Sequence, residues 1–103
     1  YDPEPDTLMA KYNIWGNKII PSLCKDLDVP CKNIGSLVVG FSEEDDKTIE
    51  VLYKRGIENG VENQRIIKQP ELSKMEPNLN PACTSALYAP SACIINPWQL
   101  AIA

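Results

Sequence analysis

Two segments of the chain place apolar residues at the spacing of an α-helix. The first follows Asp6 and Thr7, either of which offers an N-cap oxygen, and the second begins after Ser42 and ends at Gly60. Four acidic residues fill the first turn of the second helix, where the helix dipole favours negative charge. Pro21 lies inside the first segment, so we expect a kink or a break near Ile20. The apolar stripes are Leu8, Tyr12, Trp15, Ile19, Leu23 and Leu27 in the first helix, and Ile49, Leu52, Tyr53 and Ile57 in the second.

Runs of β-branched and apolar residues predict the strands. Residues 34–41 are almost continuously apolar, which predicts a strand covered on both faces and central in its sheet. Short strands are predicted at 65–67 and 93–95, and a longer strand at 84–90. Pro70 opens a helix of one or two turns that Pro77 ends. Together these elements predict an α+β fold with two main helices and two or three strands in a mixed or antiparallel sheet.

The last seven residues, 97–103, predict the first two turns of an apolar helix, and no capping or polar residue ends it. A domain seldom ends in this way, so we expect residues 1–103 to form a single domain excised from a larger protein. At 103 residues the chain has room for one modest core. We also expect the apolar final helix to cause self-association.

The charge balance excludes several classes of partner. The net charge is −4, from 14 acidic and 10 basic residues, and the longest basic cluster is the pair Lys54 and Arg55. Nucleic acids and anionic membranes are poor partners for such a surface. No segment is apolar and long enough to span a bilayer, and no signal peptide pattern is found, so we expect a cytoplasmic protein.

Candidate chemistry is sparse in this sequence. Histidine is absent, and no nucleophile elbow, phosphate loop or G-x-G-x-x-G fingerprint is present, so we predict no catalytic residue. The acidic run 43–46 lacks the spacing and the glycine of a calcium loop and predicts a helix cap, with no metal site.

The four cysteines are separated by seven, fifty-two and ten positions, a spacing that fits neither a CxxC pair nor a zinc site. We expect free thiols in a reducing compartment, with Cys24 and Cys83 buried. Cys93 has no basic neighbour to lower its pKa, which favours a packing role over a reactive one.

Four sequence blocks, in this order, resemble a single family. They are T-L-x-A-K-Y-N-x-x-G-N at 7–17, L-D-V-P leading into I-G-S-L-V-V at 27–39, M-E-P-N-L at 75–79 and L-Y-A-P-S-A at 87–92. The series resembles the FAD-dependent oxidoreductases of the D-amino-acid-oxidase superfamily, in the branch of glycerol-3-phosphate dehydrogenase and L-2-hydroxyglutarate oxidase. The resemblance covers the whole chain, and M-E-P-N-L followed by L-Y-A-P-S is its most specific part.

The resemblance implies that this segment belongs to the substrate domain, whose sheet covers the flavin. It places Tyr88, Pro90 and Ser91 nearest the substrate, with Gly35 and Ser36 as further substrate-side candidates. The residues alone leave other interpretations open: strand packing at Gly35, a turn at Ser91 and a core ring at Tyr88. The family usually has glycine at position 93, where the cysteine side chain would crowd a ligand that passes close to the backbone.

The resulting hypothesis is a substrate-domain segment of a flavoenzyme that oxidises the C–OH group of a small anionic compound, glycerol 3-phosphate or a 2-hydroxy acid, with hydride passing to FAD in the parent protein. The segment lacks the glycine fingerprint, so FAD is expected in the parent and not on this chain, and the remainder of the parent chain is its expected partner. The alternative hypothesis is a free-standing protein-interaction module without enzymatic activity.

Overall fold

The computed structural model describes residues 2–103 and shows an α+β fold with antiparallel sheets, as predicted. Both long helices and the short and final helices lie where the patterns predicted them. In chain order the elements are α1 (Leu8–Asp26), β1 (Cys31–Lys32), β2 (Ser36–Gly40), α2 (Glu43–Asn59), β3 (Arg65–Lys68), α3 (Glu71–Met75), β4 (Ser85–Ala89), β5 (Ile94–Ile95) and α4 (Pro97–Ile102).

The main sheet has the strand order β2-β4-β3, and both pairings are antiparallel. The prediction that the strand in residues 34–41 is central is therefore wrong, because β4 takes the centre and β2 lies at an edge. Most of β2 is only half-buried, whereas four of the five β4 residues are buried. A continuous apolar run indicates that both faces of a strand are covered. An edge strand that lies between two layers has the same pattern, so the run does not determine the position of the strand in its sheet.

The sheet is covered on both faces. One face packs against α3 and the loop after it, where Ile67, Leu72, Cys83 and Ala86 form the core cluster. The other face carries α2, whose buried Ile49 lies so close to Gly40 that a Cβ there would meet it at 2.9 Å. Ser42 caps α2 by accepting a hydrogen bond from the Asp45 amide, and Gly60 ends it in the left-handed region.

Helix α1 runs without a break through Pro21, so of the two predicted outcomes the split does not occur. Of the two N-cap candidates Thr7 takes the role, because its side chain accepts a hydrogen bond from the Ala10 amide. Its apolar stripe does not enter the core. Five stripe residues are exposed, with Leu8 at 71% and Trp15 at 57%, and the residues that α1 buries are Ala10 and Cys24.

A second, two-stranded sheet joins the regions before and after the main sheet. Here β1 pairs with β5, so that Cys31 lies opposite Ile95 and Lys32 opposite Ile94. The brief strand predicted at 93–95 is confirmed as β5, but β1 was not predicted. Among the helices of residues 2–103, none combines the length and apolarity that are needed to span a bilayer.

Candidate functional site

The five predicted substrate-side residues come together at one end of the main sheet, where β2 begins and β4 ends. Ser36 lies opposite Ala89 in the sheet register. Just beyond the paired residues, the Gly35 amide donates a hydrogen bond of 2.9 Å to the Ala92 carbonyl. Tyr88 is the penultimate residue of β4, and residues 90–92 form the turn that follows it. The structure thus places these residues at one end of the sheet. Their contact with a substrate remains a prediction.

The ring of Tyr88 packs between the neighbouring residues at this end of the sheet. Gly35 has a φ of +76°, and a Cβ built on it would lie 2.8 Å from the Tyr88 ring atom Cε2. On the neighbouring strand the Arg65 guanidinium lies 5.7 Å from the Tyr88 ring centroid, within the range of a cation–π contact. The ring is half-buried and also packs against the core cluster. A glycine at position 35 is therefore required by the close approach of the ring and by the backbone angle.

Two asparagine side chains hold the turn at residues 90–92 through its backbone. The Asn33 amide nitrogen donates to the carbonyl oxygens of Pro90 and Ala92, at 2.9 and 2.8 Å. Asn17 in α1 donates to the Ser91 carbonyl at 3.0 Å. Because these bonds fix three successive peptide groups, they set the position of the Ser91 side chain, which is exposed.

Asn33 was not among the predicted site residues. A lone asparagine after a two-residue strand gives no periodic signal, and its acceptors lie 57 and 59 positions further along the chain. Asn17 is the last residue of the first family block, which implies no role for it. No local sequence signal identifies these hydrogen bonds, because each joins an asparagine to a backbone carbonyl that lies 57 to 74 positions away.

A cavity of about 380 Å³ lies beside this turn, between α1 and the loop after α2. Its size is within the range of small-molecule sites. Ser91 and Asn33 reach it from the turn side, while Lys18 and Glu62 contribute one positive and one negative side chain. The Lys18 ammonium is the group in this lining that attracts an anion.

The start of α2 offers no cradle for the pyrophosphate of a dinucleotide. Such a group binds where a strand leads through a glycine-rich turn into a helix N-terminus. The β2–α2 connection has this order, but four carboxylates at 43–46 fill the helix start. Two backbone amides there are also occupied, since Asp45 accepts from the Phe41 amide at 2.9 Å and Ser42 accepts from the Asp45 amide at 3.1 Å. The start of α2 therefore does not suit a pyrophosphate.

The same acidic run is a helix cap, as the sequence predicted. Within residues 2–103 no group of three histidine, cysteine, aspartate or glutamate side chains has an arrangement that could hold a metal ion. Asp46, the last residue of the run, instead accepts hydrogen bonds from Thr84 and Ser85 at the start of β4. The run therefore ties α2 to the sheet.

Comparison with known proteins gives matches along the whole chain. The family model described as DAO, FAD dependent oxidoreductase, matches residues 1–103. A glycerol 3-phosphate dehydrogenase of Caloramator mitchellensis is 42% identical over 103 residues, which are 100% of this chain and 22% of that protein. A glycerol 3-phosphate oxidase of Mycoplasma genitalium is 39% identical over 99 residues, 93% of this chain and 26% of that protein. The mitochondrial L-2-hydroxyglutarate dehydrogenase of Mus musculus is 32% identical over 99 residues, which cover 96% of this chain and 21% of that protein.

Among solved structures, the fold matches dithionite-reduced L-α-glycerophosphate oxidase from Mycoplasma pneumoniae with FAD bound. The TM-score is 0.86 at 33% sequence identity, and the match covers 98% of this chain and 27% of the oxidase chain. The chain thus spans about a quarter of the length of the glycerol 3-phosphate and glycerophosphate enzymes that it matches.

Proposed function

The chain belongs to the family of FAD-dependent oxidoreductases, and from this membership we propose that it forms part of the substrate domain of an enzyme that oxidises the C–OH group of a small anionic substrate. The observation that carries the proposal is the structural match to an FAD-bound glycerophosphate oxidase over nearly the whole chain. The fold alone would not suffice, because one fold hosts many activities. The sequence identity to enzymes of one chemical class supplies the additional support.

Glycerol 3-phosphate is the substrate that we propose first. The relatives named for glycerol 3-phosphate are 42% and 39% identical to this chain, whereas the mouse L-2-hydroxyglutarate dehydrogenase is 32% identical. Both substrates are anions that carry a secondary hydroxyl group, so either one fits the reaction class. L-2-hydroxyglutarate is therefore the second candidate.

The contribution of this chain to the proposed enzyme is one wall of the substrate site, at the end of the main sheet where β2 begins and β4 ends. We propose that Tyr88, Pro90, Ser91, Gly35 and Ser36 line this wall. The bonds from Asn33 to the carbonyls of Pro90 and Ala92 hold the turn rigid before a substrate arrives, so that less ordering is required on binding.

FAD is held by residues outside this chain in the enzyme that we propose. The acidic helix start at 43–46 would repel a pyrophosphate, and the amides of Phe41 and Asp45 already have acceptors. The isolated 103-residue chain is then expected to form no stoichiometric yellow complex when it is mixed with FAD and passed through a desalting column. Flavin absorbance that follows the protein at one equivalent would contradict this part of the proposal.

The extended shape and the apolar surface of the chain support the proposal that it is part of a larger fold. The radius of gyration is 15.3 Å, against about 13 Å for a compact domain of this length. Large apolar side chains stand exposed on α1 and α4, among them Trp15 at 57% and Trp98 at 78%. Such side chains are typical of surfaces that another part of a protein covers. No specific observation favours the free-standing interaction module.

The direct test is a chimera. The matching segment of the M. pneumoniae oxidase is replaced by residues 1–103, and the product is assayed for bound FAD and for oxidation of glycerol 3-phosphate and of L-2-hydroxyglutarate. We expect bound FAD and a clear preference for glycerol 3-phosphate. The unmodified oxidase is the control. A chimera that binds FAD but oxidises neither compound would refute the proposed role.

The neighbouring coding sequence provides an independent check. A glycine-rich strand–turn–helix about forty residues upstream of Tyr1 is the expected dinucleotide-binding unit. If the gene encodes no such unit, the proposal that this chain serves a flavoenzyme fails even if the chimera folds.

A further inference from the structure

Residues 2–5 form a short strap between the start of α1 and the end of α2. The strap has no regular secondary structure, and it contains Pro3 and Pro5, whose fixed φ angles make it stiff. Asp6 follows with a φ of +62°, a left-handed conformation that is costly for a residue other than glycine. The strap is therefore a stiff segment with a strained joint between it and the Thr7 cap of α1.

Two side chains in the last turns of α2 hold the strap. The Arg55 guanidinium donates to the Asp2 carbonyl at 2.9 Å and to the Glu4 carboxylate at 2.8 Å. The Asn59 side-chain amide donates to the Pro3 carbonyl at 2.8 Å. Arg55 and Asn59 lie four positions apart in α2, so both project from the same face of the helix. These two side chains form a clasp on the strap.

The clasp spans a gap between the start of α1 and the end of α2. A cavity of about 370 Å³ lies in this gap, and its lining includes Thr7, Ala10, Glu58 and Asn59. Leu8 in the first turn of α1 is 71% exposed, so its side chain adds little packing between the two helix ends. Because few apolar contacts join these ends, the hydrogen bonds of the clasp are an important attachment between them.

Pro3 is the point where the strap meets the cavity of about 380 Å³ beside the turn at residues 90–92. The other walls of this cavity come from α1, from the loop at residues 60–62 and from the turn itself. In the clasp, the Glu4 side chain is 71% exposed, so its ion pair with Arg55 contributes little to stability and exchanges readily with water. The strap wall is therefore held by contacts that water can replace.

We propose that the strap closes this cavity, and that the cavity opens to small solutes when the clasp of Arg55 and Asn59 releases it. The proposal rests on the three clasp bonds and on the position of Pro3 in the cavity wall. It does not depend on the proposed function. Because the strap is stiff and its joint lies at Asp6, it moves as one unit, and Pro3 leaves the wall when the clasp bonds break.

Opening of the strap would give solutes access to part of the candidate site. Ala89 and Ser91 both line the cavity, and Ala89 is only 3% exposed while the strap is in place. A reactive group at position 89 therefore reports whether the cavity is open. Cys83 is buried to a similar degree, at 2% exposure, but it belongs to the core cluster with Leu72 of α3. Its thiol reports on the opening of the fold as a whole.

The test introduces a thiol into the cavity wall by Ala89→Cys and measures its rate of alkylation by iodoacetamide, with peptide mass spectrometry to locate the label. Iodoacetamide is small and uncharged, so the charged side chains of the lining have little effect on its entry. In this background Arg55→Gln weakens the clasp, because a neutral amide cannot replace the two charge-assisted bonds of the guanidinium. We expect the rate at position 89 to rise about tenfold while the rate at Cys83 stays the same.

Arg65→Gln is the matched control. Arg65 also forms an ion pair of 2.8 Å with a glutamate, Glu71, but it makes no contact with the strap. This variant should leave both alkylation rates unchanged. Glu4→Gln should raise the rate at position 89 by less than Arg55→Gln does, because the bonds to the carbonyls of Asp2 and Pro3 remain.

An unchanged rate at position 89 in Arg55→Gln would overturn the proposal. Arg55→Lys is a milder change that keeps the positive charge but not the planar fork that makes two bonds. It should raise the rate at position 89 alone, by a smaller factor. This variant keeps the test decisive if Arg55→Gln does not fold, because equal increases at position 89 and at Cys83 in Arg55→Lys would also overturn the proposal.

Discussion

At the residue scale, Gly35 has the strictest requirement of the glycines near the candidate site. Its φ of +76° disfavours any side chain, and the space where a Cβ would stand is filled by the Tyr88 ring at 2.8 Å. We expect Gly35→Ala to lower the free energy of unfolding by about 2 kcal/mol, from backbone strain and from displacement of the ring. Urea unfolding followed by circular dichroism measures this change.

Gly16 gives the matched control, because it lies inside α1 and nothing stands within 4 Å of the position of its Cβ. Gly16→Ala is expected to raise the free energy of unfolding by about 0.5–1 kcal/mol, since alanine is the better helix former. Equal effects at the two positions would show that Gly35 is not constrained in the way that the structure indicates.

At the element scale, Asp46 joins the start of α2 to the start of β4. Hydrogen bonds from Ser85 and Thr84 lower the pKa of the Asp46 carboxyl from its ordinary value of 3.8; partial burial opposes this and the charge of Lys68 assists it. Because the carboxyl has the lower pKa in the folded state, its stabilising effect is complete above about pH 5 and is lost as the pH falls through 3.8 and below. We expect the urea midpoint of wild type to fall over this range more steeply than that of Asp46→Asn.

Glu44→Gln, at an exposed position in the same helical turn, is the control for the loss of a carboxylate at the helix start. It should keep the steep acid dependence of wild type. If Asp46→Asn and Glu44→Gln give the same pH profile, the hydrogen bonds to Thr84 and Ser85 do not couple α2 to the sheet.

The elements also show what local patterns can and cannot predict. Helix α2 was predicted with its cap, its acidic first turn and its terminal glycine, because each of these signals lies within the helix itself. The central position of β4 was not predicted, since strand order depends on pairings between residues that lie 17 to 53 positions apart in the chain. Likewise the two residues of β1 carry no pattern, and their strand exists only because β5 pairs with them.

At the scale of the whole molecule, the apolar final helix leads to a prediction about association. In α4 the side chains of Trp98 and Ile102 are 78% and 87% exposed, and the helix carries no charge in its first or last turn. We expect the isolated chain to self-associate in a concentration-dependent manner. Trp98→Glu combined with Ile102→Glu should weaken this association at least tenfold, as measured by sedimentation velocity.

Val51→Glu introduces a charge at an exposed apolar position of α2, at 55% exposure, and serves as the control. It should leave the association unchanged. A chain that stays monomeric at all concentrations would contradict the prediction, and equal weakening by Val51→Glu would place the contact on α2 instead of α4.

The strand order has a consequence for how the protein is made. Within residues 2–103, β2 and β3 each pair only with β4, which is completed at Ala89. During translation both earlier strands therefore have no sheet partner among residues 2–103 until Ala89 has left the ribosomal tunnel. Helices α1 and α2 can form before then from local contacts, so a nascent chain that is arrested shortly before residue 85 should be helical but sheetless, and its uncovered strands would be the segments that chaperones bind.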